Sequence, residues 1–258
     1  MSAADQVQTE MKDGVLTITL DHPKVNAFTM DMIASTRSIL KDAGHNDEIR
    51  CVLLIGRGKY FSTGHDLNEV YQAKGQSFRG HLVRTFNPLI LQIRNLQKPV
   101  IAGINGAVAG ASLGIALACD LRIAADDALF TVGFLGVGLT LDSGVSLFLP
   151  KLIGLSRATE FAFTNAPITA RQALEWGLVN RLAPAKQLVD QAHEWARELS
   201  GGPSSAIGLT KRLLNKAVFP NLTQVLDYEA HYQDIAGSGD ESKEGLQAFL
   251  EKRAPNFN

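Results

Sequence analysis

Two glycine-led turns and one aspartate are the features of this 258-residue sequence whose types and spacing could do chemistry. The first turn is Lys59-Tyr60-Phe61-Ser62-Thr63-Gly64-His65-Asp66-Leu67; the second runs from Ile104 through Gly110-Ala111-Ser112-Leu113-Gly114. Each follows an apolar run that reads as a buried strand, Val52 to Ile55 and Val100 to Ile104, and each leads into a helical pattern. The first amides of such a helix have no internal partner and sit at the positive end of its dipole, which suits an oxygen that becomes an anion during a reaction. Set side by side, two such turns could aim two backbone N–H groups at one point. Asp142 is the one ionisable residue between Phe130 and Pro150, in a segment with glycines at 133, 136, 138 and 144. A carboxyl in apolar company resists ionisation, its pKa rises, and it becomes a base useful near neutral pH. The alternative is an Asp142 that caps a helix beginning near Ser143.

The elements that must hold these groups follow from periodicity. Val15 to Leu20 alternates apolar and polar residues as a half-buried strand does, and pairs with a shorter strand ahead of Asp13-Gly14. A helix follows with Thr29 as its N-cap and Ile33, Leu40 and Ala43 inward. Between Leu67 and Gln97 the pattern is helical, with Gly75, Gly80 and Pro88 as expected breaks. Leu121 to Ala125 is another strand, Leu152 to Phe163 is helical, and Thr169 and Gly177 cap a further helix. From about Ala185 onward nearly everything is helical pattern. Repeated strand-then-helix units predict an α/β architecture.

With 45% hydrophobic and 20% charged residues the composition is that of a globular protein able to bury a large core. A net charge of −1 argues against nucleic acid and gives no basis for a membrane surface partner. No apolar run is long enough to span a bilayer, and Met1 to Met11 is polar without the features of a signal peptide. A cytoplasmic location is the expectation. Cys51 and Cys119 are expected as buried, reduced thiols, and no residue cluster has metal-ligand spacing.

Phe-Ser-Thr-Gly-His-Asp-Leu at 61–67 and Ile-Asn-Gly-Ala-Val-Ala-Gly-Ala-Ser-Leu-Gly at 104–114 together resemble the crotonase (enoyl-CoA hydratase/isomerase) family. So do Lys24-Val25-Asn26-Ala27, the segment Thr169 to Val179, and the ending Glu244 to Phe257. The resemblance implies stacked ββα turns forming a spiral, a core over 1–195 and a helical trimerisation region over 196–258. It also implies an acyl-CoA thioester substrate, with coenzyme A entering as part of that substrate and no further cofactor, and a homotrimer or dimer of trimers. By position, the His65 and Ala111 amides would hold the thioester oxygen. Lys24, Val25, Ala27, Thr63 and Leu67 would contact CoA or the acyl group, with Phe28, the residues from Leu67 to Phe86, and Phe134 shaping the acyl pocket. His81 is a weaker candidate for that wall.

Where hydratases of the family carry two glutamates, the same match places Gly114 and Phe134. Gly138-Leu139-Thr140-Leu141-Asp142-Ser143-Gly144 instead resembles a stretch of single-aspartate enoyl-CoA isomerases, including 1,2-epoxyphenylacetyl-CoA isomerases, although Leu141 replaces a proline. The resemblance thus implies an isomerase with Asp142 as base. Hydration, hydrolysis or decarboxylation on the same site, or a silent acyl-CoA-binding relative, are the alternatives. The 4-chlorobenzoyl-CoA dehalogenases also place an aspartate here, but pair it with a tryptophan and a histidine where this chain has Phe134 and Asn87.

Overall fold

The structure, a computed structural model, describes residues 6–72 and 77–258. Val7–Lys12 (β1) and Val15–Leu20 (β2) form the expected antiparallel hairpin, turned at Asp13 and Gly14, both at positive φ. After Met30–His45 (α1) the chain alternates between two sheets. Cys51–Gly56 (β3), Val100–Ile104 (β5), Leu121–Ala125 (β7) and Arg181–Ala183 (β10) extend the first to the order β1-β2-β3-β5-β7-β10. Tyr60–Ser62 (β4), Ala107–Ala109 (β6), Leu129–Thr131 (β8) and Ile168–Thr169 (β9) form the second, in the order β4-β6-β8-β9. All pairings are parallel except β1 with β2 and β8 with β9. Each turn of chain therefore gives one strand to each sheet and then a helix, which is the ββα spiral. Even the β2 turn obeys the rule, because Phe28 bridges His65 beside the second sheet.

Every residue of β3 and of β5 is buried, as parallel strands covered on both faces require. The expected cap of α1 is present: the Thr29 side chain accepts from the Met32 N–H, with Ile33, Leu40 and Ala43 buried beneath. Thr169 likewise closes a capping box with Gln172.

The stretch after Leu67 corrects one expectation. Leu67–Gln72 (α2), Phe78–Arg84 (α3) and Phe86–Asn95 (α4) take in both Gly80 and Pro88, and the chain breaks instead at Thr85 (φ −121°, ψ −86°). Gly80 and Pro88 fall in first turns, where a proline lacks only an N–H that had no helical partner. Gly75 lies outside the described residues.

Ala111–Ala118 (α5) is buried along its whole length. Its carbonyl end is met by cations: Arg122 donates to the Cys119 oxygen (2.8 Å) and Arg94 to the Ala118 oxygen (3.0 Å). Such charges complement the negative end of the helix dipole. Asp120 joins Lys211 (2.7 Å) and Arg94 (3.1 Å) and accepts from the Val100 N–H. Val145–Ile153 (α6), Leu155–Thr164 (α7) and Ala170–Glu175 (α8) follow. Four helices finish the chain: Leu188–Ser200 (α9), Ser204–Val218 (α10), Leu222–Ser238 (α11) and Asp240–Glu251 (α12). Among the described residues no helix is long and apolar enough to cross a membrane.

Candidate active site

Gly64 and Gly110 are where the two glycine-led turns meet. Gly64 has φ +97° and Gly110 φ +59°, conformations that side chains resist. A Cβ on Gly64 would lie 3.1 Å from the Ala109 oxygen and 3.4 Å from the Ala111 nitrogen. Bare backbone is thus what lets the turns touch. Below them the Ser62 and Ser112 hydroxyls, both fully buried, hydrogen-bond at 2.5 Å, and Ser112 also accepts from the Gly64 N–H at 3.0 Å. Strand β4 and helix α5 are tied at the point from which the amides emerge.

The bridge at Phe28 uses the Gly64 oxygen and the Asp66 N–H, and so bypasses the N–H between them. Among the described residues the His65 and Ala111 N–H groups donate to no protein acceptor. Both residues line one cavity of about 530 Å³ together with Val25, Ala27, Thr63 and Leu67. Lys24 does not line it. It sits exposed at φ +73° in a turn closed by Asn26, whose side chain accepts from the His22 N–H and donates to the Arg57 and Tyr60 oxygens.

The apolar wall is built from Leu67, Val70, Phe78, Leu82, Phe86 and Phe134. Phe28, expected in that wall, is instead fully buried behind it, edge-on to Phe86 with ring centroids 6.2 Å apart. His81 does border the cavity, stacked on His65 with centroids 4.5 Å apart. Burial, then the neighbouring His65 and Arg84, push its pKa down to about 4, so the ring is neutral near pH 7.

Asp142 also lines the cavity, 6% exposed. It does not cap a helix with its side chain: α6 begins at Val145, whose N–H takes only the Asp142 backbone oxygen. Its Oδ1 accepts from the Ser143 hydroxyl (2.7 Å) and its Oδ2 from Gln233 Nε2 (2.8 Å). Burial raises its pKa to about 6, against the lowering effect of those two hydrogen bonds and of nearby His65. Asp66 borders the cavity too, but its Oδ1 is taken by the Asn68 N–H (2.9 Å) and Nδ2 (2.8 Å).

Of the hydratase positions, Phe134 is part of the wall and Gly114 has no room for any side chain. A Cβ on Gly114 would lie 2.4 Å from the Ser143 oxygen and 2.6 Å from the Ser143 Cβ. Asn87, at the dehalogenase histidine position, is turned away and donates to the Leu226 oxygen (3.0 Å).

Sequence reasoning missed the contribution of α11. Glu229, 5% exposed, accepts from the Gly144 N–H (2.7 Å), the Ser146 N–H (2.9 Å) and the Ser146 hydroxyl (2.5 Å). It supplies the N-terminal cap that Asp142 does not. Burial raises its pKa to about 7. One helical turn on, Gln233 reaches Asp142 and accepts from the Thr140 N–H at 2.8 Å. Asn165 was missed as well; its Oδ1 holds the Gly133 N–H at 2.6 Å on the cavity rim.

The enoyl-CoA hydratase/isomerase family model matches residues 10–258. A 1,2-epoxyphenylacetyl-CoA isomerase of Escherichia coli K12 is 36% identical over 255 residues, covering 97% of both chains. A probable enoyl-CoA hydratase of Rhodobacter capsulatus has the same identity and coverage. Among solved structures, an enoyl-CoA hydratase from Mycobacterium avium subsp. paratuberculosis superposes with a TM-score of 0.89 at 30% identity, over 98% of each chain. Two unspent amides beside a buried carboxylate, on a spiral shared with these proteins over nearly the full length, make this chain a member of the enoyl-CoA hydratase/isomerase family, the crotonases.

Proposed function

We propose that the chain is an enoyl-CoA isomerase that moves a double bond with Asp142 as its single base. The observation that carries this is the pairing of a buried, hydrogen-bonded Asp142 with a Gly114 against which Ser143 is packed. Of the two carboxylates that border the cavity, Asp66 is held by Asn68 and Asp142 is left to act as base, while the space for a hydratase-type glutamate on α5 is filled.

A 3-enoyl-CoA thioester would place its carbonyl oxygen at the His65 and Ala111 N–H groups. Asp142 takes a proton from C2, the electrons of that C–H bond pass to the thioester oxygen, and a dienolate forms. Each oriented N–H contributes roughly 3 kcal/mol to stabilising that oxygen in a water-excluded site. Asp142 then returns the proton to C4, and the double bond ends between C2 and C3. Atoms and charge balance with no added water, and CoA takes part only as the carrier of the acyl group.

The test follows 3-enoyl- and 2-enoyl-CoA thioesters of several chain lengths by mass and absorbance. Double-bond migration without mass gain is expected. Faster addition of water to 2-enoyl-CoA would replace this reading with hydration, and acyl-CoA binding without turnover would replace it with a silent relative.

Self-association is the second part of the proposal. Leu209, Leu213 and Leu214 of α10 and Tyr228, Tyr232 and Ile235 of α11 are each more than half exposed, an apolar display that a second copy would cover. Light scattering on the purified chain is expected to give a trimer or a dimer of trimers; a monomer at micromolar concentration would overturn that assembly.

A further inference from the structure

Helix α11 holds the base-bearing segment at two points. Glu229 takes the amides of Gly144 and Ser146 just after Asp142, while Gln233 takes the Thr140 N–H just before it and donates to Asp142 itself. A side-chain amide has one acceptor end and one donor end. Because Gln233 Oε1 is fixed by the Thr140 N–H, its Nε2 must face Asp142 Oδ2, and a 180° flip would set N–H against N–H. Gln233 is 1% exposed, so its amide rather than bulk solvent meets both partners. The donor can hydrogen-bond the carboxylate at Oδ2 but offers no acceptor to a proton placed there. Ser143, in contrast, carries a hydroxyl that can turn to donate or accept.

We propose that Gln233 is a positioning residue for the base: its amide, oriented by the Thr140 N–H, aims the Asp142 carboxylate into the cavity and favours the ionised form. The inference rests on the reading of Asp142 as base, and it makes a residue of the C-terminal helices govern when that base is ready. The titratable groups facing Asp142 are His65, from the turn between β4 and α2, and Glu229, from α11. Neither residue is replaced in the variants below, and Gln233→Leu adds no charge beside them.

Gln233→Glu keeps the shape and an oxygen for Thr140 while setting a second carboxylate against Asp142. Like charges at hydrogen-bond distance cannot both ionise readily, so the pair titrates as a unit with one step displaced upward. The acid limb of kcat against pH is expected to rise by about one unit or more, which is roughly a tenfold loss of kcat at a pH below the shifted limb. KM should stay within about twofold, and raising the pH should restore most of the activity. Gln233→Leu, which removes the donor without adding charge, should move the limb the same way. A purely structural role would lower activity at every pH and leave the limb in place; that result in both variants overturns the inference. Should the wild type turn over no thioester, the isomerase reading fails on its own. The inference is then decided by carbon-13 NMR of the aspartate carboxyls, with Asp142 assigned by its loss in Asp142→Asn. An unchanged Asp142 titration in Gln233→Leu counts against it, and an upward one supports it.

Discussion

Asp142→Asn is expected to lower isomerase turnover by roughly a hundred- to ten-thousand-fold, the usual span for removing a general base, with KM little changed. The same carboxylate takes and returns the proton, so its loss removes both halves of the transfer. The substitution should also change stability in a pH-dependent way. The Asp142 carboxyl titrates near 3.8 in the unfolded chain and near 6 in the fold. A raised folded pKa means the native state binds the proton more tightly, so this contribution is fully present below about pH 4 and is lost as pH rises through about 6. At pH 8 the ionised, buried Asp142 costs on the order of 2–3 kcal/mol relative to acid conditions. Asp142→Asn removes that slope, and its Tm relative to wild type should climb between pH 4 and pH 7 and then level off. A difference in Tm that stays flat over this range, or an Asn variant that still isomerises, would sink the assignment.

Gly114→Ala is expected to destabilise the chain by about 3 kcal/mol or more, the upper range for overpacking a core. Two effects of opposite sign compete here. Alanine in a helix interior ordinarily gains about 0.5–1 kcal/mol over glycine. Against that, the added methyl would stand 2.4 Å from a backbone oxygen of Ser143, a contact no flexible side chain can relieve. The steric term wins, and relaxing it shifts the backbone that carries Asp142, so turnover falls along with stability. Gly114→Glu should therefore not create a hydratase; it should give little folded protein. Urea denaturation of the alanine variant decides the point, since a wild-type midpoint would show that the segment around Ser143 yields freely.

How much of this was legible in the sequence can be argued residue by residue. The hairpin at Asp13-Gly14, the cap at Thr29 and the two glycine-led turns are local: each is fixed by a few neighbouring residues whose φ preferences or side-chain oxygens act at short range. Asp142 stood out because it is the only charge in an apolar, glycine-rich stretch. Its longer-range hydrogen bond did not, because it comes from Gln233, 91 residues away. In α11 the usual signal is mixed. Tyr228, Tyr232 and Ile235 face outward while Glu229 and Gln233 are buried among Leu222, Leu226 and Ala230, so a rule that places apolar residues inside misses the two polar side chains that matter. Phe28 failed for a related reason, since burial and cavity lining are different fates for the same apolar residue. Lys24 was carried over by position alone; it is exposed and does not line the cavity.

The two free cysteines, both buried, offer a clock for a motion that activity cannot see. Cys51 lies in β3 and Cys119 follows α5, and burial pushes both thiols up to about 12. The thiolate is the reactive form, so in the closed molecule a disulfide reagent meets neither access nor nucleophile. Labelling should therefore wait for the central sheet or the helix beneath the amides to open, and its rate measures that opening site by site. Mass spectrometry of a timed exposure at pH 8 should find both thiols unmodified long after an unfolded control is fully labelled; modification within seconds would mean that the spiral opens far more readily than its packing implies.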